Sequence, residues 1–420
     1  MKNIVFLLGS YYPNYSAVGR CQGNLADEFE KRGYNITVIS QKTYSSEPEK
    51  ELLGKQRIIR VETKDMIRDM VCREQIKKGN RRYLLKHKFN QLKRVLKIVF
   101  APNSLDNLLV KSYVDALRQL EHKPDLIIPT CLPFETVKAA IEYKKLELSC
   151  KVVPILYDMF SQSRTIHRFE WNKRIKEKTN LFLEREMLEN SEKVLHMPVW
   201  SGVLKRHFND LLCKTREIEH PLILKHSDVF KIQFSTDNID IVYTGVVDNK
   251  MRNPQGVLNF FDDVIFNEVK VHFYSLGSAQ NKVDEVAKSS DVIISHGQVS
   301  NEIAQAAVYS SDVLLSIGNN SNIQMPSKIF EYMSVGKPII HFSQVKDDLV
   351  CNVLNKYPLA FVIPSEITDI TKLRNEVKNF INTNNARKLS FEIVRDLFPE
   401  ADVKNIVDSI TKDFLDGGGI

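Results

Sequence analysis

The first half of the chain alternates short apolar runs with amphipathic stretches. Ile4–Leu8 is apolar without a break, as expected of a strand covered on both faces. A polar loop, GSYYPNYSAVG, follows, and the pattern predicts a helix over about Arg20–Arg32, stopped by Gly33. Asn35–Ser40, Arg57–Thr63, Pro124–Thr130, Lys151–Asp158 and Lys193–Val199 read as further strands. Such alternation gives a parallel sheet with right-handed crossovers. A polar, irregular segment spans about His220–Asn238, and then the pattern restarts. Ile239–Thr244, Val269–Ser275, Asp291–Ser295, Asp312–Ser316, Pro338–Phe342 and Ala360–Ile363 are short apolar strands separated by helical lengths. The chain closes with a helix over about Glu400–Asp416 and a glycine-rich tail.

The expected fold class is therefore α/β, with two doubly wound Rossmann-like domains facing a cleft. Residues 1–225 form the first and 226–399 the second. The helix in 400–420 is expected to pack back on the first. At 420 residues, two domains is the natural count. In open α/β sheets ligands sit beyond the carboxyl ends of the strands, so the strand-to-helix turns are where chemistry is sought.

Composition narrows the class. The chain is 43% hydrophobic and 26% charged, an ordinary globular balance. Its longest apolar run is too short to span a bilayer, and MKNIVFLLGSYYPN lacks a cleavage site and reads as a first strand. Six scattered cysteines with no C-x-x-C pair fit reduced thiols in a cytosolic protein, not a disulfide framework or a zinc site. The sequon Asn14-Tyr-Ser16 has no role in that setting. A net charge of +7 favours acidic partners such as phosphates or anionic lipid.

Three strand ends in the second half carry candidate nucleotide- and phosphate-binding chemistry. After IDIVYT come Gly245, which allows close backbone approach, and the cations Lys250 and Arg252; the Arg252 guanidinium fork suits a diphosphate. The same residues also fit a solvated basic loop. After DVIIS, Gly297 to Val299 is read as extended backbone that packs on a nucleotide base, or as a plain turn with Ser300 capping the next helix. After DVLLS comes IGNNSNIQMPSKIFEYM, where Asn319, Asn320 and Asn322 suit sugar hydroxyls. Ser327 opens a helix whose amino end favours an anion, and Lys328 and Glu331 share one face. Lysine and peptide N–H groups there suit phosphate, and the glutamate suits a ribose diol. An i,i+3 ion pair is the alternative.

PSKIFEYMSVGKPII resembles the nucleotide-sugar signature of GT-B glycosyltransferases, in particular glycosyltransferase family 4. R-N-P after Y-T-G, then H-G-Q-V-S, then DVLLSIG follow in the family's order, and YYPNYSAVG, K-R-G-Y and I-T-V-I-S resemble its first loop and second strand. The resemblance covers nearly the whole chain. It implies that Glu331 binds ribose, Arg252 and Lys328 the diphosphate, and Gly297 and Val299 the base. It also implies a retaining outcome in which the leaving diphosphate helps to deprotonate the acceptor. One position departs: where many members carry a glutamate that contacts the transferred sugar, this chain has Ile323.

In the first half, Ser16, Gly19 and Arg20 are expected acceptor-binding residues at the start of a helix. Asp158, at a strand's carboxyl edge, is the candidate catalytic residue, orienting an acceptor hydroxyl or taking its proton; a helix cap is the alternative. His167 is a weaker candidate. There is no D-x-D pair, so no metal is expected, no cofactor beyond the nucleotide-sugar substrate, and neutralisation falls to Arg252, Lys328 and a helix end.

Arg73–Lys97 holds ten cations and one acid, Glu74. Leu85, Phe89, Leu92, Leu96 and Val99 recur at helical steps, giving an apolar face opposite a cationic one. An anionic membrane surface is the expected partner of Arg73–Val99; packing of that face on the first domain is the alternative, and no nucleic acid is expected. The expected function is sugar transfer from a nucleotide-diphosphate donor to a hydroxyl acceptor, a lipid-linked glycan of cell-surface polysaccharide synthesis, at the cytoplasmic face of a membrane. A catalytically silent GT-B partner protein and a nucleotide-sugar epimerase are the alternatives.

Overall fold

The computed structural model describes residues 1–13, 16–158, 160–163, 169–225, 230–234, 237–322 and 324–416, apart from the side chains of residues 97 and 98. The chain forms two units, Met1–Pro221 with Val403–Ile420, and Leu222–Asp402.

The first unit runs β1 (Asn3–Leu8), α1 (Ala17–Lys31), β2 (Asn35–Gln41), β3 (Lys50–Leu53), β4 (Gln56–Val61), α2 (Lys64–Lys77), α3 (Arg82–Phe100), α4 (Asn107–Arg118), β5 (Leu126–Pro129), α5 (Glu135–Leu146), β6 (Lys151–Val152), β7 (Ile155–Leu156), α6 (Glu170–Asn190), β8 (Val194–His196), α7 (Ser201–His207) and β9 (Thr215–Glu217). Its main sheet has the order β3-β4-β2-β1-β5-β6 and is parallel except for β3, an edge strand antiparallel to β4. The sequence reading has no strand at β3: KELL mixes charge with leucine, which suits an exposed edge and gives little periodicity. Lys151–Asp158 is not one strand. Pro154 has no N–H to donate, and the chain changes sheet there. Residues 151–152 pair with β5, while 155–156 join β8 and β9 in a separate three-stranded parallel sheet.

The second unit runs β10 (Ile239–Val246), α8 (Gln255–Phe261), β11 (Val269–Leu276), α9 (Gln280–Ala287), β12 (Ile293–Ser295), α10 (Asn301–Ser310), β13 (Val313–Ile317), α11 (Lys328–Val335), β14 (Ile339–Phe342), α12 (Leu349–Leu354), β15 (Ala360–Ile363), α13 (Ile370–Asn384) and α14 (Phe391–Leu397). Its sheet is wholly parallel, in the order β12-β11-β10-β13-β14-β15. Winding starts in the middle and reverses between β10 and β13, so the crevice at their carboxyl ends is the natural ligand position. The same reversal falls between β1 and β5 in the first unit. Each sheet is covered by apolar helix faces. In the second unit Phe260, Phe261, Phe266, Phe273 and Phe342 fill one side. In the first, Tyr113 and Val114 of α4 and Ala139 and Ala140 of α5 pack on Val5, Leu7 and Ile127.

The final helix, α15 (Val403–Phe414), belongs to the first unit and packs on α1. It buries Val403, Ile406, Val407, Ile410 and Phe414. Asp408 pairs with Arg32 at 2.5 Å and Asp413 with Arg216 at 2.7 Å.

Candidate donor site and acceptor loop

Gly245 closes β10 beside Ser275 of β11, and the loop after it carries the two predicted cations. Asp248 folds this loop. Its Oδ1 accepts the peptide N–H groups of Lys250 at 2.8 Å and Met251 at 2.9 Å, and its Oδ2 accepts the Ser278 hydroxyl at 2.6 Å. Hydrogen bonding from Ser278 and these peptides holds its carboxyl down at about 2. Arg252 donates from Nε to Asn319 Oδ1 at 2.8 Å, and Asn319 donates in turn to the Gln324 carbonyl at 2.8 Å. Asn319 is only 3% exposed, so this amide is a strut between the two loops. The seam continues where Asn320 N donates to the Met251 carbonyl at 2.7 Å and Gln344 Nε2 to the Gly318 carbonyl at 2.6 Å. Asn319 and Asn320 therefore organise the loops, whereas Asn322 is exposed.

The helix predicted to face the phosphate starts at the same edge. Ser327 precedes α11 without a side-chain cap bond. Buried Tyr332 ties the helix to β10: its hydroxyl accepts the Thr244 N–H at 2.8 Å and lies 3.1 Å from the Thr244 hydroxyl. Lys328 and Glu331, both half-buried, line one small pocket with Gln305 and Tyr309 of α10. Burial, with the Glu331 charge nearby, pushes the Tyr309 hydroxyl up to about 12. The lysine of Gly336-Lys337-Pro338 has a different task. Its Nζ donates to the Tyr309 carbonyl at 2.7 Å and to the Ser311 carbonyl, closing the carboxyl end of α10.

Gly297 and Val299 follow β12. Ser300 caps α10 by accepting the Ile303 N–H at 3.3 Å. Gly297 is not extended: its φ is +64, a left-handed turn out of the strand that a side chain would strain. Just before it, His296 stacks on Tyr274 at 4.1 Å and lies 3.0 Å from His272, which bonds buried Asp240 at 2.8 Å. With His272 Nε2 donating to Asp240, its Nδ1 accepts from His296.

Under the β13–β14 edge, His341 Nε2 lies 3.0 Å from Asp348 Oδ2 and its Nδ1 3.0 Å from the Ser316 hydroxyl. With Cys351 this is one group whose ligand atoms lie within 4.8 Å of one another. Both imidazole nitrogens are engaged, and the pair packs against Gly318, where a Cβ would stand 2.1 Å from Asp348 Oδ2.

In the first unit, Ser16 caps α1 by accepting the Gly19 N–H at 3.0 Å. Gly19 is closely packed, since a Cβ there would stand 2.4 Å from the Ser10 carbonyl oxygen. Arg20 lies in the first turn of α1, half-buried. Asp158 follows β7, and burial raises its carboxyl above the usual range, opposed by the His220 charge. The Cys131 thiol donates to the Asp158 carbonyl at 2.6 Å. His167 and Ile323 lie outside the described residues.

No family model and no curated protein matches this chain. Solved structures do match along its whole length. One is sucrose-phosphate synthase from Thermosynechococcus elongatus, with 12% identity, 98% of each chain covered and a TM-score of 0.59. Another is the catalytic domain of starch synthase IV from Arabidopsis thaliana bound to ADP and acarbose, with 9% identity, 98% of each chain covered and a TM-score of 0.59. A third is WaaB, a lipopolysaccharide outer core galactosyltransferase in its apo form, with 12% identity, 98% of this chain and 99% of that one covered, and a TM-score of 0.54. The chain has the GT-B fold. Within that fold, Gly245, Lys250, Arg252, Asn322, Ser327, Lys328 and Glu331 all lie on segments that leave or follow the β10–β13 crevice, with Gly297 and Val299 two strands away at β12. Sequence reasoning missed Asp248, Gln344, Tyr332, Lys337 and the Asp240–His272–His296 chain. Only Asp248 had a local signal, an Asp–Asn pair opening a turn.

Proposed function

We propose that the protein is a GT-B glycosyltransferase that transfers a sugar from a nucleoside-diphosphate donor to a hydroxyl acceptor with retention of configuration. The observation that carries this reading is the pairing of Arg252, fixed by Asn319, with the amino end of α11 and its Lys328 and Glu331 at one sheet edge. Arg252 and Lys328 offset charge on the diphosphate as the bond from its oxygen to the anomeric carbon breaks. The acceptor oxygen bonds to that carbon, and its proton passes to the departing diphosphate. Glu331 accepts from the ribose diol, Gly297 and Val299 contact the base, and Asp158 orients the acceptor hydroxyl. That the starch synthase structure holds ADP supports a nucleoside diphosphate, and the name of WaaB supports a glycan acceptor of the cell surface. The test is a thermal-shift series with UDP, GDP, ADP and their sugars. One family of nucleotides is expected to raise the melting temperature, and Glu331→Ala to abolish the rise. Binding without turnover on any acceptor returns the silent-partner reading; no binding removes the function altogether.

The reading of the acceptor as a lipid-linked glycan draws its support from α3. The basic stretch is broken by a turn at Gly79, and α3 then turns His87 and Asn90 toward α2, where His87 Nδ1 lies 3.1 Å from Asp69 and Asn90 Nδ2 donates to the Cys72 sulfur at 3.6 Å. Leu85 is 77% exposed and Phe89 56%, and Leu92 and Leu96 are exposed beside them. The apolar face is therefore not packed on its own unit, while Val99 is half-buried. With Arg82, Lys86, Lys88, Lys93 and Arg94 around it, this face suits an anionic bilayer, each cation contributing about 1 kcal/mol. No helix among the described residues is long and apolar enough to cross a membrane. The protein is expected to float with phosphatidylserine vesicles at low salt, less so at high salt, and Phe89→Glu with Leu92→Glu to stay in the pellet fraction.

A further inference from the structure

The helix α6 buries a polar row. Asn172, Lys176, Asn180 and Glu184 recur every fourth residue and are 2%, 1%, 0% and 0% exposed. An amphipathic helix normally turns such a row to water. Here the first three hold the segment that leaves α3: Asn172 Nδ2 donates to the Val99 carbonyl at 3.1 Å, Lys176 Nζ to the Asn103 carbonyl at 3.3 Å, and Asn180 Nδ2 to the Ser104 hydroxyl at 3.3 Å. The fourth turns elsewhere. Glu184 Oε1 accepts the Ser161 peptide N–H at 2.9 Å, three residues past Asp158.

A carboxylate is a costly group to bury, and among the described residues no ion pair reaches Glu184. Lys176 lies two turns up the helix, roughly 12 Å away along the axis. The other charged or titratable groups around it are the Cys131 thiol, Asp158 with His220 beside it, and the Lys138–Glu186 pair between α5 and α6. Among the described residues, Glu184 is thus held by hydrogen bonds from the Phe160–Ser161 segment and not by a cation. A purely structural bond to one N–H needs no charge; the charge makes this bond stronger and dependent on ionisation.

We propose that Glu184 is the positioning residue of the acceptor loop: its buried carboxylate, rigidly mounted on α6, takes the Ser161 N–H and fixes the chain that presents Asp158. The proposal rests on the glycosyltransferase reading and deepens its acceptor side. Burial pushes the Glu184 carboxyl up to about 7, against the hydrogen bonds from Ser161 and Phe160. The loop anchor is therefore strongest above neutral pH, where Glu184 is ionised. The sign for stability is the opposite. A carboxyl whose folded pKa is raised binds more protons in the folded than in the unfolded state between its ordinary value and about 7, so its contribution to stability falls as pH rises through that window.

The test compares the wild-type chain with Glu184→Gln and Glu184→Ala in two measurements. The first is amide-exchange protection of Ser161 from pH 5 to 9, which needs no activity. Wild-type protection is expected to rise about tenfold across neutrality, the glutamine variant to show a pH-independent value, and the alanine variant to lose protection. The second is transfer from the sugar nucleotide to octyl glucoside. Glu184→Ala is expected to raise the KM for octyl glucoside about tenfold and leave the donor KM unchanged, and Glu184→Gln to match wild type at pH 6 but to lack its improvement above pH 7. Should the alanine variant fail to fold, the glutamine comparison decides alone. Ser161 protection that is the same in wild type and glutamine variant at every pH overturns the proposal, as do donor and acceptor KM values that move together. If the exchange pattern appears and no sugar nucleotide is turned over, the glycosyltransferase reading fails and the loop anchor stands.

Discussion

Arg252→Ala is expected to weaken binding of the nucleoside diphosphate about 100-fold, a loss near 3 kcal/mol. A guanidinium on a diphosphate makes charge-assisted bonds of roughly 1.5–3 kcal/mol each, and the protein fixes the position of Arg252. Its Nε is committed to Asn319, which is itself buried and bonded to the Gln324 carbonyl. The guanidinium plane is thus fixed before ligand arrives, and little side-chain entropy opposes binding. Two comparisons sharpen the expectation. Arg252→Lys keeps the charge but neither the fork nor the Asn319 bond, so it should recover less than half of the lost free energy. Asn319→Leu should release the arginine and lower affinity about tenfold with no contact to ligand removed. Isothermal titration with the best nucleotide of the thermal-shift series measures all three. An affinity unchanged in Arg252→Ala removes the diphosphate from this edge.

Gly336→Ala is expected to cost the second unit about 3 kcal/mol or more. Two effects add. The residue has φ +82, a left-handed conformation that costs a side chain about 1 kcal/mol. A Cβ there would also stand 2.2 Å from the Leu389 carbonyl oxygen, and that backbone is tied back by the Leu389 N–H to the Gly336 carbonyl at 2.8 Å. Neither side can yield without breaking the contact between α11 and α14. For a unit of this size the loss lowers the melting temperature by roughly 6–12 °C. Calorimetry reads it directly. Gly256→Ala, where nothing lies within 4 Å of the added carbon, is the control and should change little.

The strands that wind each sheet were legible because a strand covered on both faces must be apolar throughout, as Ile4–Leu8, Asp312–Ser316 and Pro338–Phe342 nearly are. The donor edge was legible for a related reason: a strand, a turn and a helix start with charge on one face is a local pattern. What escaped is long-range. Nothing near Asn319 says that it faces Arg252, or near Lys337 that it closes a helix ending 27 residues earlier, at Ser310. The α6 row was hidden because four polar residues at helical spacing read as a wet face, and only tertiary packing reverses that. Lys151–Asp158 was read as one strand since its apolar character runs through Pro154, although the missing N–H marks a break.

The first unit is discontinuous in sequence, and this bears on how the molecule is made. When a ribosome has released residues 1–221, the groove on α1 that takes Ile406, Val407 and Ile410 is still bare, and 181 more residues must emerge before α15 is available. The second unit, uninterrupted from Leu222 to Asp402, has every strand of its sheet by then and is complete before the first unit receives its last helix. The earlier half of the nascent chain thus waits on the later one, with the apolar surface that α15 covers still exposed to water.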